Sequence, residues 1–205
     1  MSDWRRLRED EWLLLLAPHR IAPALHAPLA RYLALLGRFE PAVDLVGRVD
    51  PETLVSDHVL ESLSGADLLP DTGLILDIGS GNGFPAVPLL LARPGLRGVL
   101  LEPRERRWVF LREVTRELGL AADVRRERLE EHTGSGYDAM TVRALGVEAW
   151  GALAGGVVRV GGLVLWWTSL AAADGVGPQG MVPVINSPLP VPERGVIAVW
   201  RRCST

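Results

Sequence analysis

The pattern of apolar and polar positions changes character near residue 70. Residues 1–70 read as helical, with no stretch alternating as a strand does. Asp50-Pro51-Glu52 predicts a helix start, Asp as N-cap and Pro at the first helical position, leading into Leu54–Leu63. Gly65 and Pro70 close that segment. From Leu74 onward, short apolar runs alternate with helical stretches: Leu74–Leu76, Val99–Leu101, Ala139–Val142 and Leu163–Trp167. Such alternation predicts an α/β fold, a parallel sheet covered by helices. The clearest helix is 104–118, with Trp108, Leu111, Val114 and Leu118 at helical spacing as its core face and Gly119 as its stop. In the tail, Met181–Ile185 and Val196–Trp200 read as a last pair of strands, and Ala171–Gly180 reads as a loop.

Composition narrows this picture. The chain has 205 residues, 48% of them apolar, enough for one substantial core and too few for two full-sized domains. We therefore expect residues 1–70 to be a helical extension of one domain over 71–205. The longest apolar run, Trp12–Ala17, is far short of a membrane span, and the acidic, Arg-rich N-terminus does not resemble a signal peptide. A cytoplasmic monomer with no membrane partner and no metal is expected. The single cysteine, Cys203, can form neither an internal disulfide nor a cysteine metal cluster.

All 22 basic residues are arginine, for which genome composition is the simpler explanation, although guanidinium groups also suit phosphates and bases. A net charge of -3 provides no global attraction to a polyanion, so any nucleic-acid affinity must come from local clustering. Eight arginines lie between Arg104 and Arg128, but acidic residues interrupt them as on an ordinary solvated helix face.

The sharpest chemical feature is the run Leu74 to Gly83, LILDIGSGNG, an apolar strand entering an acidic residue and then glycines at every second position. Glycines there let the chain turn tightly and bring its amides against a ligand. Downstream, Glu102 ends the run Val99–Leu101, where an acid can accept hydrogen bonds from both ribose hydroxyls of a nucleoside cofactor. A dinucleotide fingerprint reads G-x-G-x-x-G, whereas this loop reads Asp77-x-Gly79-x-Gly81-x-Gly83. An acid within the loop would repel a pyrophosphate but suits a cationic amino-acid end. The spacing therefore favours S-adenosyl-L-methionine (SAM) over NAD.

Residues 77–88, DIGSGNGFPAVP, resemble the D-[IV]-G-[ST]-G-x-G-[FL]-P-G-[IV]-P signature of the ribosomal RNA small-subunit methyltransferase G family, formerly glucose-inhibited division protein B. Phe84-Pro85 and Pro88 are its unusual positions. Further blocks are similar: Asp44-Leu45-Val46, His58 to Leu63, Arg107 with Phe110-Leu111, Arg128-Leu129-Glu130-Glu131, and Val142-Arg143-Ala144. The likeness covers roughly residues 44–145. It implies a Rossmann-like class I SAM-dependent methyltransferase sheet and methyl transfer to N7 of one guanine in 16S rRNA, free or in the 30S subunit, leaving S-adenosyl-L-homocysteine. It also implies roles. Gly79, Ser80, Gly81, Gly83 and Phe84 would line the amino-acid end of SAM, with Asp77 shaping the loop, and Glu102 would hold the ribose. Arg128, Leu129 and Glu130, following a third strand, would receive the adenine through backbone contacts. Arg143, past the fourth strand, would be the catalytic-site arginine, beside the cofactor or an RNA phosphate. Arg104 and Arg106 would hold RNA, and His58 would contact the entrance or simply pack its helix.

N7 transfer needs no general base, because its lone pair is unprotonated. The chain agrees by omission: the fourth strand ends in Arg143-Ala144-Leu145 rather than the D-P-P-Y type motif of amino-group methylases, and no internal cysteine is present to attack a pyrimidine. It also departs from the family. Asp44 replaces the usual Asn, Asp57 replaces an Arg, and the fifth strand lacks the family's Lys. Those losses keep two alternatives open: a methyltransferase of another RNA or small molecule, and a SAM-binding protein without catalysis.

Overall fold

The computed structural model describes residues 3–47 and 49–204. The first 70 residues are helical as expected: a 3-10 turn Trp4–Arg6, then α1 Glu9–Leu16, α2 Pro23–Val43, α3 Pro51–Thr53 and α4 Glu61–Leu63. Asp50 caps α3, its Oδ1 accepting from Thr53 N and its Oδ2 from Thr53 Oγ1, each at 2.7 Å. Between α3 and α4 the chain is π-helical over Leu54–Leu60, a wider winding that apolar spacing does not announce and that recurs at functional sites.

Beyond residue 70 the elements are β1 Gly73–Ile78, α5 Ala86–Ala92, β2 Leu96–Leu101, α6 Glu105–Glu117, β3 Ala122–Arg125, β4 Tyr137–Arg143, α7 Ala154–Val157, β5 Val158–Thr168, α8 Leu170–Ala173, β6 Met181–Pro188 and β7 Val196–Arg202. They form a seven-stranded sheet in the order β3-β2-β1-β4-β5-β7-β6. The first five strands are parallel, and β7 runs antiparallel to both β5 and β6. The expected last pair is therefore present, with β7 on the inner side. Pro183 and Pro188 sit in β6, which is an edge strand, where a missing N–H is tolerated.

Three details differ from the apolar pattern. β3 is built from Ala-Asp-Val-Arg, too polar to register as a run. β5 begins five residues before its apolar stretch, through Val158-Arg159-Val160-Gly161-Gly162. In α6, Phe110 fills the core beside Leu111 and Val114, whereas Trp108 and Leu118 are only half-buried. The Trp108 indole instead donates to Val124 O at 3.0 Å and carries the Arg112 guanidinium over its ring.

Alternation along the strands divides the core in two. Ile75, Leu100, Ala139 and Leu165 pack on one face with α5, α6 and the N-terminal helices, in a single cluster that includes Trp4, Trp12, Leu33 and Leu54. Leu76, Ile78, Val99, Leu101, Met140 and Trp166 pack on the other face with Leu129, Trp150 and Ala154. Strand order reverses between β1's two neighbours, β2 and β4, and the register aligns Ile78 with both Leu101 and Val142. Three strand ends therefore open at one topological switch point, where ligands of such sheets bind.

Candidate functional site

The loop leaving β1 turns back with positive φ at Gly79, Gly81 and Gly83: 66°, 52° and 93°. A Cβ on Gly83 would lie 2.8 Å from the Tyr32 hydroxyl, so the glycine also admits α2 to the loop, where Tyr32 Oη donates to Asn82 O at 2.6 Å. Ser80 faces inward; its Oγ donates to Asp77 O and its N–H to Leu101 O. Gly81 has the most open surroundings of the three, with the nearest side chains those of Arg107 and Glu102.

Asp77 is almost fully buried under this loop. Its Oδ1 accepts from Thr141 Oγ1 at 2.6 Å, and its Oδ2 is a buried acceptor with no partner among the described residues. Burial, with the Glu102 carboxylate adding to it, pushes its pKa up to about 6. An orphaned buried carboxylate oxygen is costly unless a donor arrives, and a ligand ammonium supplies both donor and opposite charge. Glu102, also buried, accepts from Gly81 N at 2.9 Å and from Arg104 N at 2.7 Å. Each of its oxygens keeps a lone pair for a ribose hydroxyl.

Beside these residues a cavity of about 150 Å³ is walled by Ile78, Gly79, Leu101, Pro103, Leu129, Leu145 and Ala149, with Glu127, Arg128 and Glu130 completing its lining. Apolar walls and a few polar groups suit a flat base. A larger groove, about 930 Å³, lies between the end of α2 and the start of α6, lined by Phe39, Asp44, Arg104, Arg106 and Arg107 among others. It shares no residue with the cavity beneath the glycine loop. We therefore assign the small cavity to the cofactor's base. In the groove, Arg106 Nη1 donates to Ala42 O and Arg107 Nη2 to Asp44 O, satisfying carbonyls at the C-terminus of α2. Arg104 presents its side chain to solvent.

On the other side of the loop, His58 lies on Phe84, ring centroids 5.2 Å apart, and Phe84 meets Tyr32 edge-on. Burial, with the Arg143 guanidinium adding to it, pushes the His58 imidazole down to about 4. It is neutral at pH 7. Arg143 is the last residue of β4 and mostly buried, not free past the strand end: its Nη2 donates to Glu61 Oε2 and to Asp57 O, both at 2.6 Å. Its Nη1 is buried without a partner among the described residues. The missing family cation is partly replaced from elsewhere, since Arg194, just before β7, binds Asp57 Oδ2 and Glu61 Oε1, each at 2.7 Å.

The switch point thus brings together Asp77, Gly79, Ser80, Gly81, Gly83, Phe84, Glu102, Arg128, Leu129 and Glu130, with His58 and Arg143 on the other flank. Arg104 and Arg106 stand apart in the groove. Sequence reasoning missed Thr141, Glu61, Arg107, Glu127, Leu145 and Arg194; of these only Glu61 and Arg107 fell inside blocks that carried the resemblance.

Comparison with known proteins points the same way. Residues 25–169 match the family model described as rRNA small subunit methyltransferase G. A Ribosomal RNA small subunit methyltransferase G from Stenotrophomonas maltophilia is 40% identical over 154 residues, covering 73% of this chain and 68% of the relative. One from Xanthomonas campestris is 34% identical over 192 residues, covering 85% and 86%. Among solved structures, an RNA methyltransferase from Salinibacter ruber in complex with S-adenosyl-L-homocysteine aligns with TM-score 0.54 at 20% identity, covering 72% of this chain and 91% of that one. The mitomycin 7-O-methyltransferase aligns with TM-score 0.64 at 18% identity, covering 98% and 69%. At those identities the structures speak for the fold, that of class I SAM-dependent methyltransferases. The family match, spanning the glycine loop, Glu102, the cavity and Arg143, says more: this chain belongs to the rRNA small subunit methyltransferase G family.

Proposed function

We propose that the protein transfers the methyl group of SAM to N7 of a guanine in 16S ribosomal RNA, working as a monomer on the RNA or the 30S subunit. The observation that carries this reading is the family match over residues 25–169, which takes in every residue assigned above to the cofactor. The donor supplies an electrophilic methyl on a sulfonium. Asp77 would hold its ammonium through the unpartnered Oδ2, Glu102 its ribose hydroxyls, and the cavity beside Leu129 its base. The protein's part in the chemistry is then positional: lining up N7 with the methyl carbon, and excluding water behind Phe84.

No proton has to leave N7, and the site is built accordingly. The imidazole nearest the loop, His58, titrates at about 4 and carries neither charge nor basic strength at neutral pH. Its neutrality also spares the cationic product a facing positive charge. Methyl transfer from labelled SAM to unmethylated 30S subunits, followed by mapping of the modified base, tests the reading. One N7-labelled guanine is expected; label on another atom, or on no ribosomal particle, would refute it.

A second reading, a changed substrate, has one observation in its favour. Asp57 and Glu61 occupy both Arg143 and Arg194 on the flank where a polyanion would approach. An enzyme active on small acceptors but inert on ribosomal RNA would support it.

A further inference from the structure

The segment between β3 and β4 contains a chain of three polar side chains that the transfer reaction does not explain. The His132 side chain is fully buried. Its Nδ1 lies 2.5 Å from Glu127 Oε1 and its Nε2 lies 2.8 Å from the Tyr137 hydroxyl. The hydrogen-bond directions follow from the partners. Burial pushes the Tyr137 phenol up, so it keeps its proton and can donate to Nε2. The ring proton then sits on Nδ1 and is donated to the carboxylate, which can only accept. Gly134 closes over the pair; a Cβ there would lie 2.5 Å from His132 Nε2 and 2.7 Å from the Tyr137 oxygen.

This arrangement fixes Glu127 by one oxygen. Its Oε2 makes no hydrogen bond among the described residues, and Glu127 lines the same cavity as Ile78, Gly79, Leu101 and Leu145. Glu127 is also one of the few polar groups in a lining that is otherwise largely apolar, and the relay behind it removes the freedom a glutamate on a loop would have.

We propose that Glu127, oriented by His132 and Tyr137, accepts a hydrogen bond from the exocyclic amino group of the cofactor's adenine and makes the site selective for 6-amino over 6-oxo purine nucleosides. The proposal rests on the SAM reading of the site, since it needs the base in this cavity. A 6-amino group donates to a carboxylate. A 6-oxo group would set oxygen against oxygen, with neither able to donate, and both would have been desolvated for nothing. His132 and Tyr137 are positioning residues. They touch no ligand and act through the Glu127 carboxylate.

The probes are S-adenosyl-L-homocysteine and its deaminated analogue, S-inosylhomocysteine, titrated calorimetrically into the whole protein. Wild type should bind the adenosyl compound about 10- to 100-fold more tightly, the low end of what a site built to pair a substrate N–H achieves. Glu127→Gln should bring the two within about threefold, because an amide can turn either its N–H or its carbonyl to the base. His132→Leu should lose part of the preference and His132→Gln, which retains a donor, should lose less. Equal binding of both probes by wild type would overturn the proposal while leaving the cofactor reading intact; binding of neither would overturn both. A preference abolished by Glu130→Gln but untouched by Glu127→Gln would also overturn it, by giving the role to the other carboxylate. The wild-type comparison decides even if a variant fails to fold.

Discussion

Binding of S-adenosyl-L-homocysteine near pH 5–6 should expel a proton from Asp77. In the free protein this carboxyl is buried with one oxygen unpartnered and titrates at about 6. Its folded-state value is raised, so the folded chain holds the proton that the unfolded chain has already released, and stability falls as pH rises from about 4 through about 6. Above that window the ionised carboxylate is a standing cost of about 3 kcal/mol, the equivalent of roughly two pKa units. An ammonium seated against Oδ2 would reverse that cost and return the group to the ordinary carboxylate range. Binding should then release about 0.9 proton at pH 5 and about 0.5 at pH 6. The ligand's own amino group stays protonated over that range, since such groups titrate near 8 or above. Titration calorimetry in buffers of different ionisation enthalpy reads the count directly, and affinity should weaken towards tenfold per unit of pH below 6. Asp77→Asn, which keeps an acceptor for Thr141, should bind more weakly and release nothing. A wild-type protein that binds at pH 5–6 without proton release would refute the placement of the ammonium at Asp77.

Glu102→Ala should weaken SAM binding by about 1 to 3 kcal/mol through loss of a charged acceptor, and an unchanged affinity by calorimetry would remove Glu102 from the site. At saturating SAM and RNA, kcat should show no ascending single-proton limb between about pH 6 and 8, because His58 is already neutral there; such a limb with chemistry rate-limiting would count against N7 transfer. Glu61→Ala should destabilise the fold by about 3 to 5 kcal/mol in chemical denaturation, since it leaves the mostly buried Arg143 without its carboxylate. RNA affinity should fall steeply with added salt while SAM affinity barely changes, and Arg104→Ala should flatten that salt slope; an unchanged slope would take Arg104 off the phosphate path.

Much of the site was legible because its chemistry is written in adjacent residues. Asp77 through Gly83 and the acid ending β2 are local patterns, and the strand register then does what the pattern implies, bringing Ile78, Leu101 and Val142 level. What stayed hidden is what the fold brings together across distance. Thr141 is an unremarkable strand residue until β4 pairs with β1 and sets its hydroxyl on Asp77. The polar β3 could not be seen as an apolar run, since a strand near the edge of the sheet needs few apolar residues. Trp108 was assigned to the core on spacing, but an indole with a donor to satisfy settles where a carbonyl is within reach, and Phe110 takes the interior.

The helical extension explains why the loss of family cations could not be weighed from sequence alone. Read along the chain, Asp57 is a negative charge where a positive one is usual. In the fold it is neutralised by Arg194, more than a hundred residues away in sequence, and its backbone carbonyl helps to hold Arg143. Glu61 ties the two arginines together, and its own carbonyl receives the Trp167 indole from β5, the strand that lacks the family's lysine. The charge on this flank is therefore a property of three segments at once: the π-helical turn, the end of β4 and the turn before β7. A guanidinium so held is poorly placed to move out to a phosphate, because leaving Glu61 would strand a buried carboxylate. Its unpartnered Nη1 is what remains available, and it is buried, so what it meets must enter the site rather than pass over it. That geometry favours an acceptor oxygen of the base or the cofactor as the partner of Arg143, and leaves the phosphate backbone to exposed arginines such as Arg104.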